Sequence, residues 1–249
     1  MCILKPFMVF IINLLLCIAQ SNAGNIAVTD IDGNVYTTVK IGDQVWTVEN
    51  YRSTRFNDGA PIPQVTDSAK WITLSGPGFC YFSNTANSDS IKKFGALYNW
   101  YAISSKKFPP QGWHVPDTAE WNTLENYLIA NGFNWNGIRS GNKIAKSLAA
   151  KTDWKADWWP SEHPGSIGND TSKNNGSGFS ALPGCGRHYS PPDFGYPGYH
   201  GYWWSVTDFI SKRKDSLVYT RGLYFDSDQF GRATAEKHGG FSVRLLKDK

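Results

Sequence analysis

The side chains with most to offer a ligand crowd into residues 187–204. There Arg187, His188, Tyr189, Phe194, Tyr196, Tyr199, His200 and Tyr202 alternate with Pro191, Pro192, Pro197 and several glycines. Rings held in a Pro/Gly-rich loop cannot all reach a core. Exposed aromatic faces stack on the C–H faces of sugar rings, and they also build protein interfaces. The same residues can equally form a self-packed loop with its rings turned inward. Trp154, Trp158 and Trp159, interleaved with Asp153, Lys155 and Asp157, pose the same choice. The candidate ligand-binding residues are therefore Tyr189, Phe194, Tyr196, Tyr199, Trp158 and Trp159.

Other chemistry has less support. Asp226 and Asp228 stand two apart near an expected strand end, on one side of it. They are weak candidates for calcium ligands or for glycosidase-like acids, against the alternative of a solvated loop. The sugar-coordinating triplets Glu-Pro-Asn and Gln-Pro-Asp do not occur, so calcium has no motif behind it. Asp30-Ile31-Asp32-Gly33-Asn34 has the look of a calcium loop but lacks the EF-hand spacing of Gly and Glu, and reads as a turn. The five histidines form no HExxH pair and CxxC is absent, which leaves zinc little support. His114, beside a helix start, is expected to pack or hydrogen-bond. No G-x-S-x-G surrounds Ser205, and the glycine-rich nucleotide motifs are missing. The expectation is no catalytic residue and no cofactor.

The elements that must position these residues are short. Residues 28–50 read as a β-hairpin with Gly42-Asp43 at a turn, and 51–90 as loop with short strands. Residues 95–103 suit a short buried helix. Asp117 and Glu120 have the form of a capping box, and Trp121, Leu124 and Leu128 recur at helical spacing behind them. A third helix is expected over about 141–150, then loop to 175. Strands are expected at 202–206, 218–225 and 241–247. Few helices with strands at both ends indicate an α+β fold in which the first and last strands pair.

Composition agrees with a folded domain. The 249 residues are 41% hydrophobic, 18% charged and 15% aromatic, with 11 Trp, 24 Gly and 13 Pro, which excludes both a disordered chain and a coiled coil. A net charge of +4, with no basic run longer than Lys212-Arg213-Lys214, leaves nucleic acid binding without an electrostatic footprint. Residues 1–23 carry one early Lys, an apolar stretch from Phe7 to Ala19 and Ser21-Asn22-Ala23. This is the pattern of a cleaved signal peptide, too short to span a bilayer, and it would leave Gly24 first. Lipid attachment at Cys17 is the less favoured alternative, because bulky Leu16 precedes it. The remaining cysteines are Cys80 and Cys185. In an oxidising compartment they could form one bridge, adding about 4 to 5 kcal/mol in the chain-entropy account.

One ordered series of short motifs spans almost the whole chain. It comprises Asp32-Gly33-Asn34-Val35-Tyr36, Ile41-Gly42-Asp43-Gln44-Val45-Trp46, Leu97-Tyr98-Asn99-Trp100, Gly112-Trp113-His114-Val115-Pro116 and Ala119-Glu120-Trp121. It continues through Gly178-Phe179-Ser180-Ala181-Leu182-Pro183-Gly184, Tyr202-Trp203-Trp204-Ser205 and Phe241-Ser242-Val243-Arg244. This resembles the Fibrobacter succinogenes major paralogous domain family of exported and surface proteins, over about 30–248. That family is similar in turn to the formylglycine-generating (sulfatase-modifying) and C-type-lectin-like folds. The resemblance implies a single C-type-lectin-like α+β domain over 24–249, with close termini and long irregular loops. Cysteines that family members often carry are replaced here by Pro109 and Leu245. No Cys follows Cys185, so the copper-binding thiolate pair of formylglycine-generating enzymes has no counterpart. The expected function is an exported, non-catalytic binding module for a glycan or a cell-surface protein. An extracellular carbohydrate-active enzyme and a structural adhesin subunit are the alternatives.

Overall fold

A computed structural model describes residues 27–188, 194–209 and 217–249. Residues 1–23 with Cys17, Tyr189 and the 212–214 basic run lie outside the described residues.

The N-terminal strands follow from two turns. Asp30 Oδ1 accepts the N–H groups of Asp32 and Asn34 at 3.0 and 2.9 Å, and its Oδ2 takes the Tyr36 hydroxyl. That carboxylate builds a side-chain-mimicked turn between β1 (Val28–Thr29) and β2 (Val35–Tyr36). Then β3 (Thr38–Ile41) and β4 (Gln44–Thr47) pair antiparallel around Gly42-Asp43, as expected. Gly42 takes φ +62°, a conformation a two-residue hairpin turn needs.

The next stretch departs from expectation. Two helices arise where loop was expected, because each has a side-chain cap. Asp67 accepts from Lys70 N–H to start α1 (Ser68–Ile72), and Asn87 from Ser90 N–H to start α2 (Ser88–Phe94). Between them lies β5 (Phe79–Cys80), which pairs with β6 (Leu97–Tyr98). The helix expected over 95–103 therefore shrinks to α3 (Trp100–Ile103). Asn99 sets that boundary: its Oδ1 accepts Ala102 N–H at 3.1 Å and Gly78 N–H at 3.0 Å, capping the helix and tying it to the strand pair.

After β7 (Trp113–His114) comes α4 (Thr118–Ala130), opened by the full capping box of Asp117 and Glu120. It buries Trp121, Leu124 and Leu128, the face read from their spacing. The helix expected over 141–150 is the four-residue α5 (Ala145–Leu148). The strands expected at 202–206 and 218–225 are β8 (His200–Asp208) and β9 (Leu217–Tyr224). They are joined by an unforeseen β10 (Gly231–Glu236), in the order β10-β9-β8. Its sequence, Gly-Arg-Ala-Thr-Ala-Glu, has only one β-branched residue and gives weak local strand signal. Six cross-strand pairs to β9 place it.

The last strand, β11 (Leu246–Lys247), inserts between β4 and β7 to complete a sheet ordered β3-β4-β11-β7. Leu246 faces Trp46 on one side and His114 on the other. Arg244, just before it, is fully buried. It donates to Asn50 Oδ1 and to the carbonyls of Thr47, Phe179 and Ser180, so its guanidinium is satisfied in place. The core is aromatic-rich. One cluster gathers Tyr51, Tyr98, Phe108 and Trp204, and another Trp46, Trp121, Phe179 and Trp203. The chain is thus an α+β protein of short helices and small antiparallel sheets. Among the described residues no helix is long and apolar enough to cross a membrane.

The bridge considered for Cys80 and Cys185 is not formed: both thiols are free and buried. Cys80 packs with Trp71 and Leu97, while Cys185 donates its S–H to the Tyr196 carbonyl at 2.8 Å. They serve separate pieces of core.

Candidate functional site

The loop 154–170 is wound around one buried carboxylate. Asp157 accepts the Trp159 N–H at 2.8 Å, the Ser166 hydroxyl and, at 3.2 Å, His163 Nδ1. Burial raises its pKa, but these three partners outweigh that and hold the carboxyl below the usual range. Trp154 anchors the start of the loop by donating Nε1–H to the Ala181 carbonyl at 3.0 Å. Gly168 N–H reaches the Phe225 carbonyl at 2.7 Å, tying the loop to the residue just after β9. With Trp154 and Asp157 turned inward, Trp158 and Trp159 are left outside, 59% and 53% exposed.

The aromatic loop after 194 comes to meet them. Trp158 lies 5.7 Å from Trp159, 5.7 Å from Tyr199 and 4.9 Å from Phe225, centroid to centroid. Tyr196, 76% exposed, extends the row at 6.0 Å from Tyr199. Phe225 is buried and Tyr199 half-buried, so these two rings form the floor on which the exposed rings stand. Four of the six aromatics singled out from the sequence therefore form one surface. Phe194 does not join it: its ring packs on Phe82 at 5.5 Å and under the Arg187 guanidinium at 5.2 Å, within the Trp71–Cys80 cluster. The inward-turned alternative holds for that ring.

Beside this platform runs a cleft of about 360 Å³ whose walls include Trp135, Lys143, Glu162, His163, Asp226 and Asp228. The two aspartates thus sit in a cleft rather than on an open loop. Trp135 donates its indole N–H to Asp228 Oδ2 at 3.0 Å, and Lys143 Nζ lies 5.8 Å from the Trp135 ring centre. Gly165 makes room for that ring, since a Cβ there would fall 1.9 Å from Trp135 Nε1. His163, held by Asp157 through Nδ1, gives the cleft an oriented imidazole. Among the described residues, no group of three His, Cys, Asp or Glu side chains converges to hold a metal ion. The arrangement can stack ring faces and offer carboxylate and imidazole partners to hydroxyls.

The motif series read from the sequence, from Ile41 onward, falls within the match to a family model. The Fibrobacter succinogenes major domain matches residues 39–247. The chain belongs to that family. No curated protein and no solved structure matches it. The platform and the cleft both lie within the family domain.

Sequence reasoning missed Trp135, Lys143, Glu162 and His163. Their one local signal was Asn134-Trp135-Asn136-Gly137, an aromatic in a turn-forming setting. The Asp157–His163 pairing follows no fixed spacing rule.

Proposed function

We propose that the protein is an exported binding module that holds glycans on the platform of Trp158, Trp159, Tyr196 and Tyr199, with the Trp135–Asp226–Asp228 cleft taking adjoining hydroxyls. One observation carries this reading: exposed Trp158 and Trp159 from one loop and exposed Tyr196 from another are joined through half-buried Tyr199, over buried Phe225. Exposed aromatic rows suit sugar faces because stacking removes apolar C–H surface from water, while nearby carboxylates accept hydroxyl protons. Export rests on residues 1–23, with Gly24 as the first residue after cleavage. A single C-type-lectin-like domain over 24–249 is part of the proposal. In its support, β11 closes beside β4, and a long loop-rich span separates α4 from β8.

The test is a broad glycan array probed with the protein starting at Gly24, first with calcium and then with chelator. Signal that survives chelation and disappears in Trp158→Ala/Tyr196→Ala supports stacking. Signal lost with chelator moves the site to Asp226 and Asp228. Turnover of a bound glycan that fails in His163→Gln would replace the binding role with an enzymatic one. Silence throughout would favour a protein partner.

A further inference from the structure

A second cleft, remote in residues from the platform, lies between α4 and the three-stranded sheet. It has a volume of about 240 Å³, opens to solvent, and is lined by residues that include Thr118, Asn122, Ser205, Tyr219, Arg221 and Arg232. Glu125, buried on α4, is shared by the guanidiniums of two of these lining residues. Arg221 donates Nη1–H to Oε2 at 2.7 Å. Arg232 donates Nε–H to Oε2 at 3.2 Å and Nη2–H to Oε1 at 2.8 Å. Two cations against one carboxylate leave one positive charge, and no wall residue supplies another carboxylate. Burial works against the Arg221 charge, which Glu125 and the Asn122 carbonyl oxygen support.

The remaining polar groups point to the sign of the ligand. Asn122 Oδ1 is taken by Arg221, which leaves its amide N–H groups as donors. Arg232 engages Glu125 through Nε and Nη2, so Nη1 is available. Ser205 Oγ accepts Thr207 N–H at 3.2 Å and keeps its own proton to give, and the Tyr219 hydroxyl is a further donor. A guanidinium edge, an amide and two hydroxyls around a cavity with surplus positive charge suit an anion. We propose that this cleft binds a small anionic group, a carboxylate or a phosphate. Its volume is roughly eight waters at about 30 Å³ each. That is room for the anionic group with a few attached carbons.

The test is calorimetric titration of the purified protein with inorganic phosphate, with D-glucuronate and with glucose as the neutral control. Saturable binding of one or both anions, none of glucose, and at least a tenfold weakening in Arg232→Gln is the expected result. Binding of phosphate alone identifies a phosphorylated source, and of glucuronate alone an acidic sugar. The Arg232 head is 55% exposed, so its removal should leave the fold in place. Should that variant unfold, Tyr219→Phe carries the test, with weakening of several-fold expected, together with a shift of the Asn122 side-chain amide resonances on titration. No anion binding at millimolar concentration overturns the proposal. So does undiminished affinity in both variants, or anion binding without any Asn122 shift.

Discussion

Stability should fall as pH rises through the titration of His114. This imidazole lies between two carboxylates. Its Nε2 is 2.8 Å from Glu120 Oε1 and its Nδ1 is 2.6 Å from Asp248 Oδ1, so it joins the start of α4 to the end of the last strand. The hydrogen bond to Glu120, aided by Asp248 and opposed by burial, raises its pKa from 6.5 to about 9. A raised histidine contributes fully below the unfolded value, and the contribution disappears as pH climbs through the folded one. The full shift corresponds to about 3.4 kcal/mol at 1.36 kcal/mol per unit. The His114 side chain is 35% exposed and that of Asp248 53%, so solvent screening brings this to about 1 to 2 kcal/mol. The assay is urea unfolding of wild type and His114→Gln at intervals from pH 6 to 10, with the imidazole followed by NMR. Wild type should lead by about 1 to 2 kcal/mol near pH 6 and lose that lead by about pH 10. A constant gap across the range, or an imidazole that titrates at or below 6.5, would refute the reasoning.

Ala substitution separates the platform from the core: Trp158→Ala or Tyr196→Ala should change unfolding free energy by no more than about 0.5 kcal/mol. Trp121→Ala, in the buried core, should cost about 3 to 5 kcal/mol by denaturant titration, and equal costs would mean the platform rings are structural. Glu125→Gln should be strongly destabilising, by about 3 kcal/mol or more, since it leaves buried Arg221 beside Arg232 without a counter-charge; a neutral outcome in denaturant melts would show that water or an ion compensates. Burial lifts the Cys80 and Cys185 thiols to about 12 and about 11, so neither should react with iodoacetamide near pH 8 until denaturant is added. A mass showing them oxidised to one bridge would contradict the packing described.

Where local chemistry decided structure, the sequence was legible. Asp117 with Glu120 and the Trp121–Leu124–Leu128 spacing specify α4, and Gly42-Asp43 specifies the β3–β4 turn. Legibility failed where partners are distant. Residues 97–98 carry helical spacing, yet pairing with Phe79 and Cys80 makes them a strand. β10 is placed by β9 rather than by its own propensity. For the site, aromatic richness in Pro/Gly surroundings marked Trp158, Trp159, Tyr196 and Tyr199. It could not tell Phe194 from them, because that ring's fate depends on Phe82 and Arg187, far away in the chain. The Arg221–Glu125–Arg232 cleft joins α4 to β9 and β10, and no spacing rule links those positions.

The insertion of β11 has a bearing on how the chain comes into being. Leu245 N–H meets the Thr47 hydroxyl across 198 positions of sequence at 3.0 Å, and Leu246 fills the gap between β4 and β7. A chain emerging N-terminus first therefore holds β4 with one unpaired edge until Leu245 and Leu246 appear. Contacts of such separation slow folding and lengthen the interval in which a bare strand edge can pair with the wrong neighbour. A truncation that removes Leu246 onward would take out an inner strand of the four-stranded sheet. It would also take away Asp248, whose carboxylate meets His114 and whose N–H meets the Gly112 carbonyl at 2.9 Å. Synthesis that stops before Leu246 should yield a chain that aggregates rather than a slightly weakened domain.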